Sequence, residues 1–466
     1  MIKRLEMKYI YTVLIMLIFS GCVHTLTDDE IKSSYNLPDN FRNKSYIDDL
    51  NSSKVTLSYK DPVAEIKSML PDNSFISILD TASQENLDLL SLLSKIRQAR
   101  YQVKSATGAM IPQVSGSLGY NYAENNNDLT GGLNLSWEVD IYGKLDALRR
   151  SKKELVKYAE ENYVNGQVTL AADTATYYFS IRKAAAQLVF ANKMLENYKT
   201  ILDIYTQMRS AGLVDESAYI ETTMDYLNGQ NNVQKYQLEV EQNKNALYAL
   251  INNKEINITT DMIYDTTFAP AIPKLNDVPM QAILNRPDVR ASVYTLNSEL
   301  YNHYNKKMAL LPSLSLSGSI SQLLASPTGI GDLIWSIGAS LAAPILNRQE
   351  LYAQLKIQEE TVKQAEFSLQ KSINTAVKDI EDASFGMSSS NKSYSNTKDI
   401  LENAKISMDI LESNWKAGLI DDVEYLKAQN DFLTTYISFY TAWYENISSS
   451  IMLYKAFGGS FSAQKG

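Results

Sequence analysis

The stretch WKAGLIDDVEYL, Trp415–Leu426, repeats an earlier one, MRSAGLVDESAY at Met208–Tyr219, and both belong to a longer internal correspondence. LDLLSLLSKIRQARYQVKSATGAMIP (Leu87–Pro112) pairs with PDVRASVYTLNSELYNHYNKKMALLP (Pro287–Pro312), which sets Asp88 on Asp288 and Pro112 on Pro312. Further along, the correspondence has shifted by a few residues: Leu195 pairs with Leu401, Gly212 with Gly418, Asp215 with Asp421 and Tyr219 with Tyr425. A period of about 200 residues is far beyond the 20 to 50 of a solenoid unit. The chain is an internally duplicated domain, so any fold must give both copies the same kinds of element.

Each matched proline is followed by strict alternation. Val114, Leu118, Tyr120 and Tyr122 alternate with Gln113, Ser115, Ser117 and Asn121, which predicts a strand with one apolar and one polar face. A turn-rich stretch, ENNNDLTGG (Glu124–Gly132), separates it from a second alternation through Leu133, Leu135, Trp137, Val139 and Ile141. In the second copy Leu314, Leu316 and Ile320 oppose Ser313, Ser315, Ser317 and Ser319. After ASPTGIGD, the residues Leu333, Trp335, Ile337, Ala339 and Leu341 return as an apolar side. Strands of about ten residues have the length needed to cross a bilayer when tilted, and Ser, Asn and Gly on the second face suit a wet lumen. Tyr120, Tyr122, Trp137 and Trp335 near strand ends suit an interfacial girdle.

Beyond each hairpin the period becomes helical. Leu188, Ala191, Leu195, Tyr198, Leu202 and Tyr205 keep a heptad spacing, repeated by Leu401, Ala404, Met408, Leu411 and Trp415. No proline interrupts 345–416, and a helix of about 70 residues would be about 105 Å long. The opening string then reads as a tight helical hairpin. Gly212 and Gly418 end one helix in the left-handed conformation, and Asp421 with Glu424 starts the next as N-cap and capping-box partner.

Composition removes several functions. With 44 basic against 53 acidic residues and a net charge of −9, the chain carries no electrostatic footprint for nucleic acid. Two histidines, His24 and His303, and one cysteine cannot supply a zinc site or a disulfide framework. A nucleophile–base pair is likewise not apparent around His303, which argues against an enzyme. The N-terminus MIKRLEMKYIYTVLIMLIFSGC has a basic start, an apolar run and small residues directly before Cys22. This pattern resembles a lipoprotein signal, with residues 1–21 removed and Cys22 acylated. Four strands cannot close a membrane barrel, and open edges are not tolerated in lipid, so the chain is expected to associate as a ring.

These features resemble the outer membrane factor family, the TolC-like exit ducts of Gram-negative bacteria. The most specific segments are NRPDVRAS (Asn285–Ser292), SWEVDIYGKLD (Ser136–Asp146), AAPILNRQEL (Ala342–Leu351) and LYKAFGGSF (Leu453–Phe461), in the family's order. Asn347 and Arg348 stand where the family often has glycine, and Ser460 replaces the third glycine of the closing motif. The resemblance implies a mainly α-helical fold with a membrane β-barrel. Its architecture would be a long α-helical barrel plus four β-strands per chain, hence a 12-stranded barrel in a homotrimer. It divides the chain into an equatorial segment 22–80, a first repeat 81–260 (hairpin 112–141, tip 210–218), a linker 261–280 and a second repeat 281–466 (hairpin 312–344, tip 416–424).

The same resemblance implies passive conduction of drugs or other small molecules within a tripartite efflux pump. The implied partners are outer membrane lipid, a periplasmic adaptor and an inner-membrane transporter of the RND, ABC or MFS type. No cofactor is expected beyond the lipid on Cys22. The rival readings are the duct of a type I protein secretion system and a structural trimeric lipoprotein. The resemblance sets the tip at a periplasmic aperture, where the candidate residues are Gly212, Asp215, Trp415, Gly418, Asp421, Asp422 and Glu424. Three copies would gather the acids of the second tip into a cation-preferring ring.

Overall fold

The alternation that follows each matched proline forms two strands per copy, and the four strands make one antiparallel sheet in the order β1-β2-β3-β4. These are β1 (Gln113–Ala123), β2 (Asn126–Val139), β3 (Ser313–Ala325) and β4 (Leu333–Ala342). The computed structural model describes residues 61–123, 126–252, 281–326 and 329–460, together with Thr25, Thr27, Glu30 and Pro270. The signal segment and Cys22 lie outside the described residues.

Because register in an antiparallel ladder decides which side chains share a face, the pairing can be read as rows. Val114 lies opposite Leu135, Leu135 opposite Gly318, and Gly318 opposite Ile337. Leu133, Ile320 and Trp335 form the neighbouring row, and Trp137, Leu316 and Ala339 another. Ser115, Asn134, Ser319 and Ser336 align on the opposite face, where the Ser319 and Ser336 hydroxyls are 2.8 Å apart. The apolar face is uncovered, with Trp335 70% and Ile337 83% exposed.

Two details depart from the sequence reading. Asn126–Gly132, read as part of a turn, is already strand: Asn127, Asp128, Gly131 and Gly132 pair with β1. Poor β-formers enter the ladder because β1 pairs with the whole of Asn126–Gly132, joined by β3 from Leu129 onward, and satisfied backbone groups outweigh intrinsic propensity. Ile141 lies past the end of β2, in a turn where its amide donates to the Val139 carbonyl at 2.9 Å.

The described helices are α1 (Pro62–Met69), α2 (Asn73–Glu85), α3 (Leu87–Gly108), α4 (Lys144–Ser210), α5 (Glu216–Leu250), α6 (Gln281–Leu284), α7 (Pro287–Met308), α8 (Arg348–Lys416) and α9 (Asp422–Ala456). The longest, α4 and α8, have 67 and 69 residues. Among the described residues no helix is long and apolar enough to cross a membrane.

The chain divides into two compact units that cut across the duplication. One contains Leu92–Asn162 and Asp288–Ile373, and so takes the strands of both copies. Within it a buried Ser151–Ser298 hydroxyl pair (2.9 Å) and the Arg290–Glu161 ion pair (2.8 Å) join α4 to α7. Burial holds the Glu161 carboxyl above its ordinary range, opposed by Arg290. His303 has a neighbour that the sequence did not suggest: its Nε2 is 4.0 Å from Glu359 Oε1.

The other unit contains the described parts of Pro38–Ser91, Tyr163–Pro287 and Asn374–Gly466. Its core includes Phe75, Tyr178, Phe179 and Trp443, with ring centroids 5.1 to 6.0 Å apart along the cluster. Asp72 caps α2 by accepting from the Phe75 amide, and its buried carboxylate also takes Tyr178 Oη at 2.9 Å and Arg182 Nη1 at 2.6 Å. Burial, reinforced by the Asp72 charge, pushes the Tyr178 phenol well above its ordinary range, so it stays a donor.

In the same unit, two of the family-like segments meet. Arg286 donates to the Ala456 carbonyl (2.8 Å) and to Asp379 (3.2 Å). Gly458 and Gly459 follow α9 with φ of +65° and +82°. A Cβ on Gly458 would lie 2.7 Å from Pro287 Cδ, and one on Gly459 2.4 Å from Val168 Cγ2. Glycine is needed there both for the left-handed backbone and for the close approach.

Candidate functional site: the paired helical tips

In each copy the long helix reverses into the next through the same backbone device. Gly212 (φ +70°) donates to the Arg209 carbonyl at 3.0 Å while Leu213 donates to that of Met208 at 2.9 Å. Gly418 (φ +72°) donates to Trp415 and Leu419 to Asn414, both at 2.9 Å. This paired closure is a Schellman motif, which satisfies the last carbonyls of the helix and needs a residue free to adopt positive φ. Asp215 and Asp421 then cap the following helices, accepting from the amides of Ala218 and Glu424 at 2.8 Å. A carboxylate there also complements the helix dipole.

The side chains bridging the turn differ between copies. In the first, Arg209 binds Glu216 through two contacts of 2.8 Å, and its guanidinium lies 4.3 Å from the centroid of the Tyr219 ring. In the second, Trp415 occupies the matching position. Its indole stacks on Tyr425 and donates Nε1–H to Asp422 Oδ1 at 2.7 Å. Arg209 and Glu216 were not singled out from sequence, and Tyr219 and Tyr425 only as a matched pair of the repeat, although laying one copy on the other also sets Arg209 on Trp415 and Glu216 on Asp422.

The expected acids of the second tip therefore fall into three roles. Asp421 is committed to the backbone, and Asp422 to Trp415. Glu424 is exposed, and among the described residues its carboxylate has no partner within the chain. Gly212 and Gly418 are turn residues and Asp215 is a cap, so each serves the reversal of the helix.

The comparisons with known proteins cover most of the chain. The sequence profile of the outer membrane efflux protein family matches twice, over residues 78–253 and 278–459, one match for each copy. The solvent efflux pump outer membrane protein SrpC of Pseudomonas putida is 25% identical over 416 residues, 86% of this chain and 88% of that protein. The probable outer membrane lipoprotein SilC of Salmonella typhimurium is 23% identical over 394 residues, 82% of this chain and 85% of that one. Among solved structures, the Campylobacter jejuni CmeC outer membrane channel superimposes with a TM-score of 0.75 at 22% identity, covering 89% of this chain and 91% of that one. The family consists of channel proteins and not of enzymes. With its profile matching most of the sequence in the same two copies that the repeat defines, the chain belongs to the outer membrane efflux protein family.

Proposed function

We propose that three copies of this chain form the exit duct of a tripartite efflux pump, conducting drugs or other small molecules passively across the periplasm and the outer membrane. The sheet carries this reading. It has an uncovered apolar face, a face of Ser, Asn and Gly, and outer strands, β1 and β4, that among the described residues each pair on one side only. Backbone groups left open at an edge are costly in hydrocarbon. Pairing β4 of one copy with β1 of the next would satisfy both edges and close a twelve-stranded barrel around a wet lumen.

In this assembly an inner-membrane transporter of the RND, ABC or MFS type supplies the energy, and a periplasmic adaptor connects it to the duct. Cys22 carries the acyl chains of a lipoprotein, a reading supported by the small residues before it and by the likeness to a protein named as an outer membrane lipoprotein. A lipid chain adds a tether to the contact made by the barrel. At the periplasmic end Glu424 of each copy faces the aperture, and the three carboxylates favour cations. Asp421 and Asp422 contribute field rather than a free ligand.

Purified protein in mild detergent should behave as a trimer by light scattering and give discrete conductance steps in planar bilayers. A monomer with full conductance, or a trimer that conducts nothing, would overturn the reading.

A further inference from the structure

The two tips share a backbone and differ in what bridges it. We infer that they are latches of opposite physical character: an ionic latch in the first copy that salt loosens, and an aromatic latch in the second that salt does not release. Every contact involved lies within one turn of a single chain, whatever its oligomeric state.

At the first tip the bridge from α4 to α5 is the two-point Arg209–Glu216 pair, with Tyr219 beneath the guanidinium. Both charged side chains are about half exposed, so mobile ions compete for each partner. At the second tip the bridge from α8 to α9 is ring on ring, 4.5 Å between centroids and 12° between planes. The polar contact added to it has a neutral donor, the Trp415 indole. Stacking is not screened by salt, and the indole bond to the Asp422 carboxylate has only one charged partner, so screening weakens it far less than an ion pair. The nearby Lys416–Glu412 pair lies wholly within α8, so its screening leaves the turn bridged. The other charges of the second tip, Asp421 and Glu424, are both acidic and provide no substitute ion pair across the turn.

The test is hydrogen–deuterium exchange on the full chain in detergent, comparing low salt with about 1 M NaCl, where the screening length falls to about 3 Å. Protection of the segment 208–219 should fall roughly twofold to fivefold, as expected for loss of an exposed ion pair, while segment 414–425 stays unchanged. Arg209→Trp should remove the salt response of the first tip. Trp415→Arg, which sets a guanidinium between Asp422 and Tyr425, should confer one on the second. Equal salt responses at both tips in the unaltered protein, or a response that persists in Arg209→Trp, would overturn the inference. Exchange reads the turns directly, so this outcome is separate from whether the protein conducts or is a trimer. If either variant fails to fold, the contrast between tips in the unaltered chain decides.

Discussion

The Trp415 indole lies flat on the Tyr425 ring and hands its N–H to Asp422, so one aromatic side chain occupies both the ring and the acid across the turn. With Asp421 held by the Glu424 amide, the one acid of the second tip without a partner among the described residues is Glu424. Glu424→Gln should reduce cation preference in single-channel recordings while leaving thermal stability unchanged. Asp422→Asn keeps an acceptor for the indole N–H, so it should loosen the tip only slightly and change selectivity less than Glu424→Gln does. Unchanged ion preference in Glu424→Gln would remove that residue from the aperture.

The buried Asp72–Arg182 pair yields a stability prediction. Removing one partner of a buried pair leaves an uncompensated charge, at about 3 to 5 kcal/mol. Arg182→Met should sit at the low end of that range, because Tyr178 and the Phe75 amide still donate to Asp72. Adding Asp72→Asn to Arg182→Met should recover part of the loss. Thermal unfolding of the two variants checks the order.

Gly459→Ala should be among the most damaging single changes outside the sheet. The new methyl would meet Val168 Cγ2 at 2.4 Å and Pro62 Cβ at 3.0 Å on a backbone at φ +82°. Overpacking and left-handed strain each amount to about 1 to 3 kcal/mol. The expected result is a lower melting temperature and, since α1 packs at this point, faster proteolysis near Pro62.

The sheet predicts a face-dependent response to charge. Ile337→Arg puts a cation on the apolar face and should lower recovery in the outer membrane, by about 2 to 4 kcal/mol if near the midplane. Ser336→Arg, one residue away on the polar face, should insert normally and alter conductance instead. Equal recovery of the two variants in membrane fractions would mean the faces are assigned wrongly.

Cys22→Ala should abolish metabolic acyl labelling and leave assembly largely intact, since the barrel makes the main membrane contact in the proposed duct. Labelling that survives the substitution would remove the lipid from Cys22.

Much of this was legible in the residues, for identifiable reasons. The duplication exposed itself through Gly212 and Gly418, because a Schellman turn needs a special backbone and therefore a special residue. Strand faces were legible wherever alternation was strict, as from Val114 to Tyr122. Asn126–Gly132 was not, because its strand character comes from pairing with β1, and from Leu129 with β3 as well, and not from its own residue types. The bridging pairs at the tips were hidden for another reason: Arg209 and Trp415 have no chemistry in common, and only their shared place in the turn reveals that they do the same work. Asp72 gave no local signal, since Tyr178 and Arg182 reach it from more than 100 residues away.

The β2–β3 ladder, from Leu129 opposite Ala325 to Val139 opposite Leu314, joins the first copy to the second. A half-length chain bearing one hairpin could make that seam only by colliding with another molecule, at whatever concentration the envelope supplied. Tethering the two hairpins in one polypeptide replaces the collision with a local search at an effective concentration that does not depend on how much protein is made. In the proposed ring of three, every second seam between hairpins would be made when each chain folds, and only the remaining seams would wait on encounter.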